Sequence, residues 1–136
     1  ALAEAGETLA AHALGQFTVE GAKKAARQMF GTSDHPDAVF VATDHMAFAV
    51  MDVLRGELNL HIPHDVSVVG YDDVPPASWA AYDLSTVRQR ADLMVKETVT
   101  LMIEKIRNPA SSPRHIKIDS PLIVRSSAKI PEGWTS

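Results

Sequence analysis

Two short, mainly apolar runs, separated by one amphipathic segment, constrain the fold of this chain more than any other feature. They occupy residues 38–42 and 66–70. Apolar runs of this length without polar alternation are typical of parallel strands covered on both faces, so we expect residues 38–42 to form a central strand. Between the runs, apolar residues recur every three or four positions from Thr43 or Asp44 to about Leu58, which predicts a helix. Strand, helix and strand in this order predict a parallel, right-handed α/β crossover unit.

Other segments extend this α/β pattern. Residues 18–30 have helical apolar spacing after Thr18, a favourable N-cap, and residues 91–107 have a longer helical pattern that Asn108 and Pro109 end. Asn59 tolerates the left-handed conformation and is expected to end the helix between the two runs. The remaining predicted segments are a loop at 73–83, short extended runs at 84–87, 115–118 and 122–125, and a loosely held tail at 129–136.

Composition excludes several classes of function. The 136 residues include 13 Lys and Arg against 17 Asp and Glu, a net charge of −4, and no basic cluster that could neutralise nucleic-acid phosphates. The absence of Cys excludes disulfides, thiolate metal sites and Cys nucleophiles, and it agrees with a cytoplasmic location. No apolar run approaches the roughly 18 residues of a membrane-spanning helix. Because the chain begins at Ala1 without an initiator Met or an export signal, we expect it to be a piece of a longer protein.

Signals for catalysis and metal binding are weak. His61 and His64, followed by Asp65, have a spacing found among metal ligands, but Pro63 keeps this stretch out of a helix. A solvated turn explains these residues better, and we assign no metal. The G-x-S-x-G, G-x-G-x-x-G and G-x-x-x-x-G-K-[ST] signatures of hydrolases and nucleotide-binding proteins are absent. We therefore expect neither an enzyme nor a cofactor.

Polar residues follow both predicted strands. Thr43 and Asp44 come after the first, and residues 71–73 come after the second. Ligands of open α/β sheets bind beyond the carboxyl ends of the strands, so these residues predict a polar cleft in which Asp72 accepts ligand hydroxyls and Phe17 offers an apolar ring. The spacing leaves open an alternative in which Asp44 caps a helix, the turn carboxylates are solvated and Phe17 lies in the core.

Four ordered motifs extend over essentially the whole chain, at residues 38–48 (AVFVATDHMAF), 62–73 (IPHDVSVVGYDD), 84–89 (LSTVRQ) and 122–127 (LIVRSS). They resemble the successive signatures of the lactose- and galactose-repressor (LacI-GalR) family. The resemblance covers only the C-terminal part of such a repressor, without the helix-turn-helix, the hinge helix and most of the N-terminal effector subdomain. It implies a Rossmann-like three-layer α/β sandwich of the periplasmic-binding-protein-like type I, C-terminal lobe only.

The resemblance also implies residue roles and a division of the chain. Asp72 would hydrogen-bond ligand hydroxyls, Thr43 stands where the family usually has an Asn ligand contact, and Phe17 stands where an aromatic ring stacks on the ligand. Tyr71 completes the candidate ligand-binding set. Residues 1–87 would form the C-terminal effector-binding lobe, residues 88–118 a crossover helix and connection belonging to the absent N-terminal lobe, and residues 119–136 a returning strand and loose tail.

These inferences predict the ligand-sensing part of a bacterial transcriptional repressor. Its effector would be a sugar or sugar-like small molecule, and operator DNA would be bound by a domain absent from this chain. One alternative is the sugar-binding protein of a transporter, which would carry an export signal. Another is a small α/β enzyme that uses Asp44, Asp72 or a His as general base.

A homodimer is expected through the helix between the two apolar runs. Phe48 lies off the core-facing stripe, and an exposed aromatic side chain there needs a partner, so we assign Phe48, Met51 and Asp52 to the dimer interface. The alternative is a Phe that folds down against its own sheet.

Overall fold

The computed structural model describes residues 2–132, which form a four-stranded sheet with helices. Three strands are parallel, and the fourth is antiparallel to its neighbour. The order in the sheet follows the order in the sequence, which confirms the predicted parallel strand–helix–strand unit. The strands are β1 (Ala38–Phe40), β2 (Ser67–Asp72), β3 (Ser85–Arg88) and β4 (Leu122–Ile123).

Local sequence signals explain where the helices begin and end. The hydroxyls of Thr18 and Thr43 each accept a hydrogen bond from the backbone N–H three residues further on, at 3.0 and 3.3 Å, as N-caps do. Asn59 adopts the predicted left-handed conformation, with φ of 55°. The helices are α1 (Val19–Phe30), α2 (Asp44–Gly56) and α3 (Ala91–Arg107), and short 3-10 helices occur at Ala3–Ala5 and Pro75–Ser78.

The hydrophobic core lies between α1, α2 and one face of the sheet. Helix α2 is buried over most of its length, and Met51, Val53 and Leu54 are fully covered. Val68 of β2 and Leu84, just before β3, complete the core from the side of the sheet. Helix α2 therefore fixes its own N-terminus above the carboxyl ends of the strands, where the candidate site lies.

Strand β1 lies at the end of the sheet, so the expectation of a central strand is wrong. It pairs only with β2 among residues 2–132. Side chains alternate across a strand, and only Val39 of β1 packs toward the core, while Phe40 on the opposite face is 62% exposed. An apolar run shows that a strand is apolar on both faces, but it cannot show which elements cover those faces.

Three other segments differ from the sequence-based expectations. Strand β2 continues to Asp72, two residues beyond its apolar run, and β4 contains only half of the predicted extended segment. Residues 115–118 have no regular secondary structure.

Helix α3 has the predicted bounds but no buried residue. In the predicted tail, the backbone N–H of Lys129 donates a hydrogen bond to the Ser67 hydroxyl. The last four residues of the tail, 133–136, lie outside the described residues.

Ser127 joins the segment after β4 to β2 and β3. Its hydroxyl donates to the Val68 carbonyl oxygen at 2.6 Å and accepts from the Ser85 N–H at 2.7 Å. Its own carbonyl oxygen accepts from the Val68 N–H at 2.7 Å. Ser127 is almost fully buried, so these hydrogen bonds lie away from water. They hold the segment after β4 beside the first residue of β3, Ser85.

Replacing Ser127 with Ala is expected to lower the free energy of unfolding by at least about 2 kcal/mol, because two buried backbone groups lose their partner. Urea denaturation of the 136-residue chain measures this change. The matched control is Ser126→Ala at the exposed neighbouring position, which should change stability by less than about 0.5 kcal/mol. Equal stability of the two variants would contradict the structural role of Ser127.

Candidate functional site

The candidate site forms where β2 ends beside the N-terminus of α2. Asp72 is the last residue of β2 and is partly exposed. Its Oδ1 accepts a hydrogen bond at 2.9 Å from the side-chain amide of Gln89, which directly follows β3. Burial, reinforced by the negative charge of Asp44, raises the pKa of Asp72. A partly desolvated carboxylate with few donors gains from the hydroxyl groups of a polar ligand.

Asp44 is buried next to the site and stabilises the elements that form it. Its side chain is 0% exposed, and its two carboxylate oxygens accept hydrogen bonds from the Thr86 hydroxyl at 2.6 Å and from the Val74 N–H at 2.9 Å. A Cβ atom on Gly70 would overlap Asp44 Oδ1, so only glycine allows this close approach. Asp44 therefore ties α2 to β3 and to the chain after β2, and it is not accessible as a general base.

Asp73 is held by two arginines. Its Oδ2 pairs with Arg88 Nε at 2.6 Å, and its Oδ1 pairs with Arg125 Nη2 at 2.7 Å. Burial raises the pKa of Asp73, but the hydrogen bonds from Arg125 and Arg88 outweigh it, so the pKa lies below its usual value. The two adjacent carboxyl groups thus have different environments, because Asp73 is neutralised within the protein while Asp72 faces a polar amide.

The other predicted ligand residues are dispersed around this centre. Thr43 is close to the site as the N-cap of α2, and its hydroxyl is engaged with the Met46 N–H. The Tyr71 ring packs edge-on against Phe40, with centroids 6.5 Å apart, on the face of the sheet opposite the Gly70 side. Asp72 and Thr43 are thus brought to the same end of the sheet, and the Tyr71 ring is directed elsewhere.

Phe17 lies in a different environment from the one expected. It is 76% exposed, with φ of 53°, and it lies on the rim of an apolar cavity of about 510 Å³. Residues 9–17, α1 and β1 line this cavity. The alternative placement of Phe17 in the core is therefore wrong, and its contact with a ligand stays a prediction.

The residues assigned to a dimer interface divide into two groups. Phe48 is buried because the Tyr82 ring stacks on it, with centroids 4.3 Å apart and an angle of 30° between the rings, so the expected exposure of Phe48 is wrong. Met51 is fully buried in the core. Asp52 is exposed. The loop before β3, which the sequence did not connect with this helix, supplies the cover for Phe48.

Sequence reasoning missed three neighbours of the Asp72 and Asp73 carboxylates, namely Gln89, Arg88 and Arg125. All three belong to the family motifs, but nothing in their local spacing shows that they meet Asp72 and Asp73.

His61 and His64 contact one carboxylate, that of Asp65, through their Nδ1 atoms at 3.0 and 2.8 Å. Within residues 2–132, no group of three or more His, Cys, Asp or Glu side chains could hold a metal ion. None of the helices in this part of the chain has the length and apolar content needed to cross a lipid bilayer.

The fold and the polar cluster define the class of this protein as an open α/β domain with a candidate ligand site at the carboxyl ends of parallel strands. The family described as periplasmic binding protein-like domain matches residues 3–128. The chain belongs to this family, and its homologues are transcriptional regulators of the LacI type, which confirms the fold class and the family resemblance inferred from the motifs.

Two curated relatives and one solved structure illustrate the similarity. The chain is 35% identical over 121 residues to the HTH-type transcriptional regulator CelR of Thermobifida fusca, covering 89% of this chain and 35% of CelR. It is 30% identical over 131 residues to the HTH-type transcriptional repressor PurR of Photobacterium profundum, covering 95% of this chain and 39% of PurR. A solved CelR–cellobiose complex matches with a TM-score of 0.82 and 31% identity, over 93% of this chain and 39% of that one. The chain thus spans little more than a third of these relatives.

Proposed function

We propose that this chain is the C-terminal ligand-sensing lobe of a LacI-type transcriptional regulator and that Asp72 binds hydroxyl groups of a sugar or sugar-like effector. The observation that carries this proposal is the partly exposed Asp72 carboxylate beside Gln89 at the carboxyl end of β2. The complex of the related CelR with cellobiose supports a sugar as the effector class. The relatives are transcriptional regulators, which favours this function over a transporter protein or an enzyme.

Ligand recognition at this site follows from its chemistry. An ionised carboxylate accepts charge-assisted hydrogen bonds from vicinal hydroxyls, and the Gln89 amide both donates and accepts. We assign Thr43 a further polar contact and Phe17 a stacking contact that requires it to approach the ligand from its present exposed position. The Tyr71 ring would reach the ligand only after leaving Phe40, on the opposite face of the sheet. The effector would regulate the protein by binding one arrangement of two lobes more tightly than another.

The exposed helix α3 supports the division of the chain into lobes. None of its residues is buried, although it has an apolar stripe. An uncovered stripe of this kind is typical of an interface. We propose that residues 1–87 form one lobe, that residues 88–118 pack with a second lobe, and that residues 119–136 return to the first. The exposed apolar residues of α3 are Met94, Val95, Val99, Met102, Ile103 and Ile106.

Operator DNA would be bound by another part of the regulator, in the cytoplasm. The net charge of −4 gives this chain little attraction for DNA phosphates. The regulator with its DNA-binding domain is therefore the protein in which the function is tested.

The test is a titration of the intact regulator with cellobiose by isothermal calorimetry, followed by operator binding with and without the sugar. We expect a micromolar dissociation constant and a change of at least tenfold in operator affinity, which corresponds to about 1.4 kcal/mol of coupling. Cellobiose turnover would instead support an enzyme. Sugar binding without any effect on operator affinity would contradict the role as a regulator.

We also propose a homodimer that uses the outward side of α2 around Asp52. Because Phe48 and Met51 are buried, Asp52 is the assigned residue that can be changed without disturbing the core. Asp52→Arg in the intact regulator is expected to weaken the dimer about tenfold, or about 1.4 kcal/mol, measured by sedimentation. Glu20→Arg, an exposed change on α1, is the control. An unchanged dimer in both variants would exclude this side of α2 as the interface.

A further inference from the structure

The turn that carries Asp72 has an unusual backbone. The φ angles are 127° at Asp72 and 57° at Asp73. Residues other than glycine rarely adopt such angles, and they keep them only where surrounding contacts hold the backbone in place. Two consecutive residues of this kind, directly at the candidate ligand site, therefore require a specific restraint.

The side chain of Asp73 supplies that restraint from within the protein. Its carboxylate is only 6% exposed and pairs with Arg88 and Arg125 through separate oxygens. The Arg125 side chain is 15% exposed, and its second terminal nitrogen donates to the Leu84 carbonyl oxygen at 2.7 Å. Arg125 is thus itself fixed to the chain before β3. Asp73 is consequently anchored on a rigid partner and cannot rotate without breaking two ion pairs.

The two arginines flank residues 89–121, the segment that leaves the sheet after β3 and returns to it at β4. Arg88 is the last residue of β3 and precedes α3, whereas Arg125 follows β4, after the chain has returned to the sheet. Asp72 is linked to the start of this segment by Gln89. The side-chain amide of Gln89 donates to the Asp72 carboxylate, and its backbone N–H donates to the Asp72 carbonyl oxygen. The paired carboxylates therefore join the site to both ends of residues 89–121.

We propose that Asp73 is a positioning residue for Asp72. Through Arg88 and Arg125 it holds the turn in the conformation that keeps the Asp72 carboxylate beside Gln89, and it connects the site to both ends of residues 89–121. Asp73 is directed at the two arginines and not at the ligand, because its carboxylate is only 6% exposed and each of its oxygens pairs with an arginine. This inference rests on the proposed function, since it is the binding of an effector at Asp72 that gives the positioning its purpose.

The first experiment needs no effector. Amide hydrogen exchange is measured in the 136-residue chain and in Asp73→Asn. Val74, whose N–H bonds to Asp44, reports on the turn, and Val68, whose N–H bonds to Ser127, reports on the core. We expect exchange at Val74 to become at least tenfold faster while exchange at Val68 changes less than twofold.

Matched variants separate positioning from general stabilisation. Asp83→Asn makes the same change at another aspartate with positive φ, 43°, and should leave Val74 unchanged. Arg125→Met removes one anchor of Asp73 and should accelerate Val74 as Asp73→Asn does. If Val74 and Val68 accelerate by the same factor, Asp73 only stabilises the domain and the proposal is overturned. Unchanged exchange at Val74 overturns it as well.

The second experiment is a double-mutant cycle on cellobiose affinity in the intact regulator. Asp73→Asn should weaken binding at least tenfold when Asp72 is present and less than twofold in an Asp72→Asn background, because Asp73 acts through Asp72. An equal loss in both backgrounds would overturn the proposal. If the unmodified regulator does not bind cellobiose, the proposed sugar class has failed for that sugar, and hydrogen exchange then decides the positioning role by itself.

Discussion

Replacing Asp72 with Asn is expected to weaken effector binding by the intact regulator about 10- to 100-fold while leaving the fold unchanged. A hydrogen bond to a charged group contributes about 1.5–3 kcal/mol, and the amide keeps one acceptor oxygen but loses the charge and the second acceptor. Asn has almost the same shape as Asp, so it can keep the backbone angle of 127° that Asp72 has. Isothermal calorimetry with cellobiose measures the change in affinity.

Asp83→Asn is the matched control for this prediction, because Asp83 also has positive φ but bonds to the Ser126 N–H instead of lying beside Gln89. The control variant should bind cellobiose with the affinity of the unmodified regulator. Circular dichroism of each variant tests whether the fold is retained. If Asp72→Asn binds as tightly as the control, Asp72 does not contact the effector.

Replacing Asp44 with Ala is expected to lower the free energy of unfolding by about 3–6 kcal/mol, since two buried hydrogen bonds to a charged group are lost together. The Thr86 hydroxyl and the Val74 N–H would both lose their acceptor within the core. Because single domains are stable by only about 5–15 kcal/mol, much of this variant should be unfolded near 37 °C. Urea denaturation of the 136-residue chain gives the difference.

Asp52→Ala on the same helix is the control for this stability prediction. Asp52 is exposed, and its replacement should change stability by less than about 0.5 kcal/mol. A loss for Asp44→Ala no larger than that of Asp52→Ala would mean that the buried contacts of Asp44 add nothing to stability. Asp44→Asn separates charge from hydrogen bonding, because an amide can still accept one of the two bonds.

Much of the local structure could be predicted because its causes lie within a few residues. The helix predicted at residues 91–107 has those bounds, and the helix predicted at 18–30 begins after the Thr18 cap. Asp72 was expected at the end of a strand, and β2 ends there. Apolar periodicity, capping and left-handed turns depend on neighbours in the sequence, so the sequence alone is sufficient for them.

The environment of the candidate site could not be predicted in the same way. The partners of Asp44 and Asp73 are 15 to 52 positions away in the sequence. Asp44 had three sequence-based interpretations, as a cap, as part of a cleft and as a general base, and burial beneath the site was not among them. Phe48 was expected to need a partner molecule, yet Tyr82 of the same chain covers it.

The sequence by itself determined the α/β pattern and the position of Asp72 at a strand end, because short-range spacing encodes both of them, and the resemblance of its four motifs indicated the family. Only the tertiary structure decided that β1 lies at the end of the sheet, that Asp44 is buried between β3 and the chain after β2, and that Asp73 pairs with two arginines. The physical reason is that strand adjacency brings together residues far apart in the chain. Whether a carboxylate at such a junction is buried, paired or open to a ligand depends on which side chains meet it there.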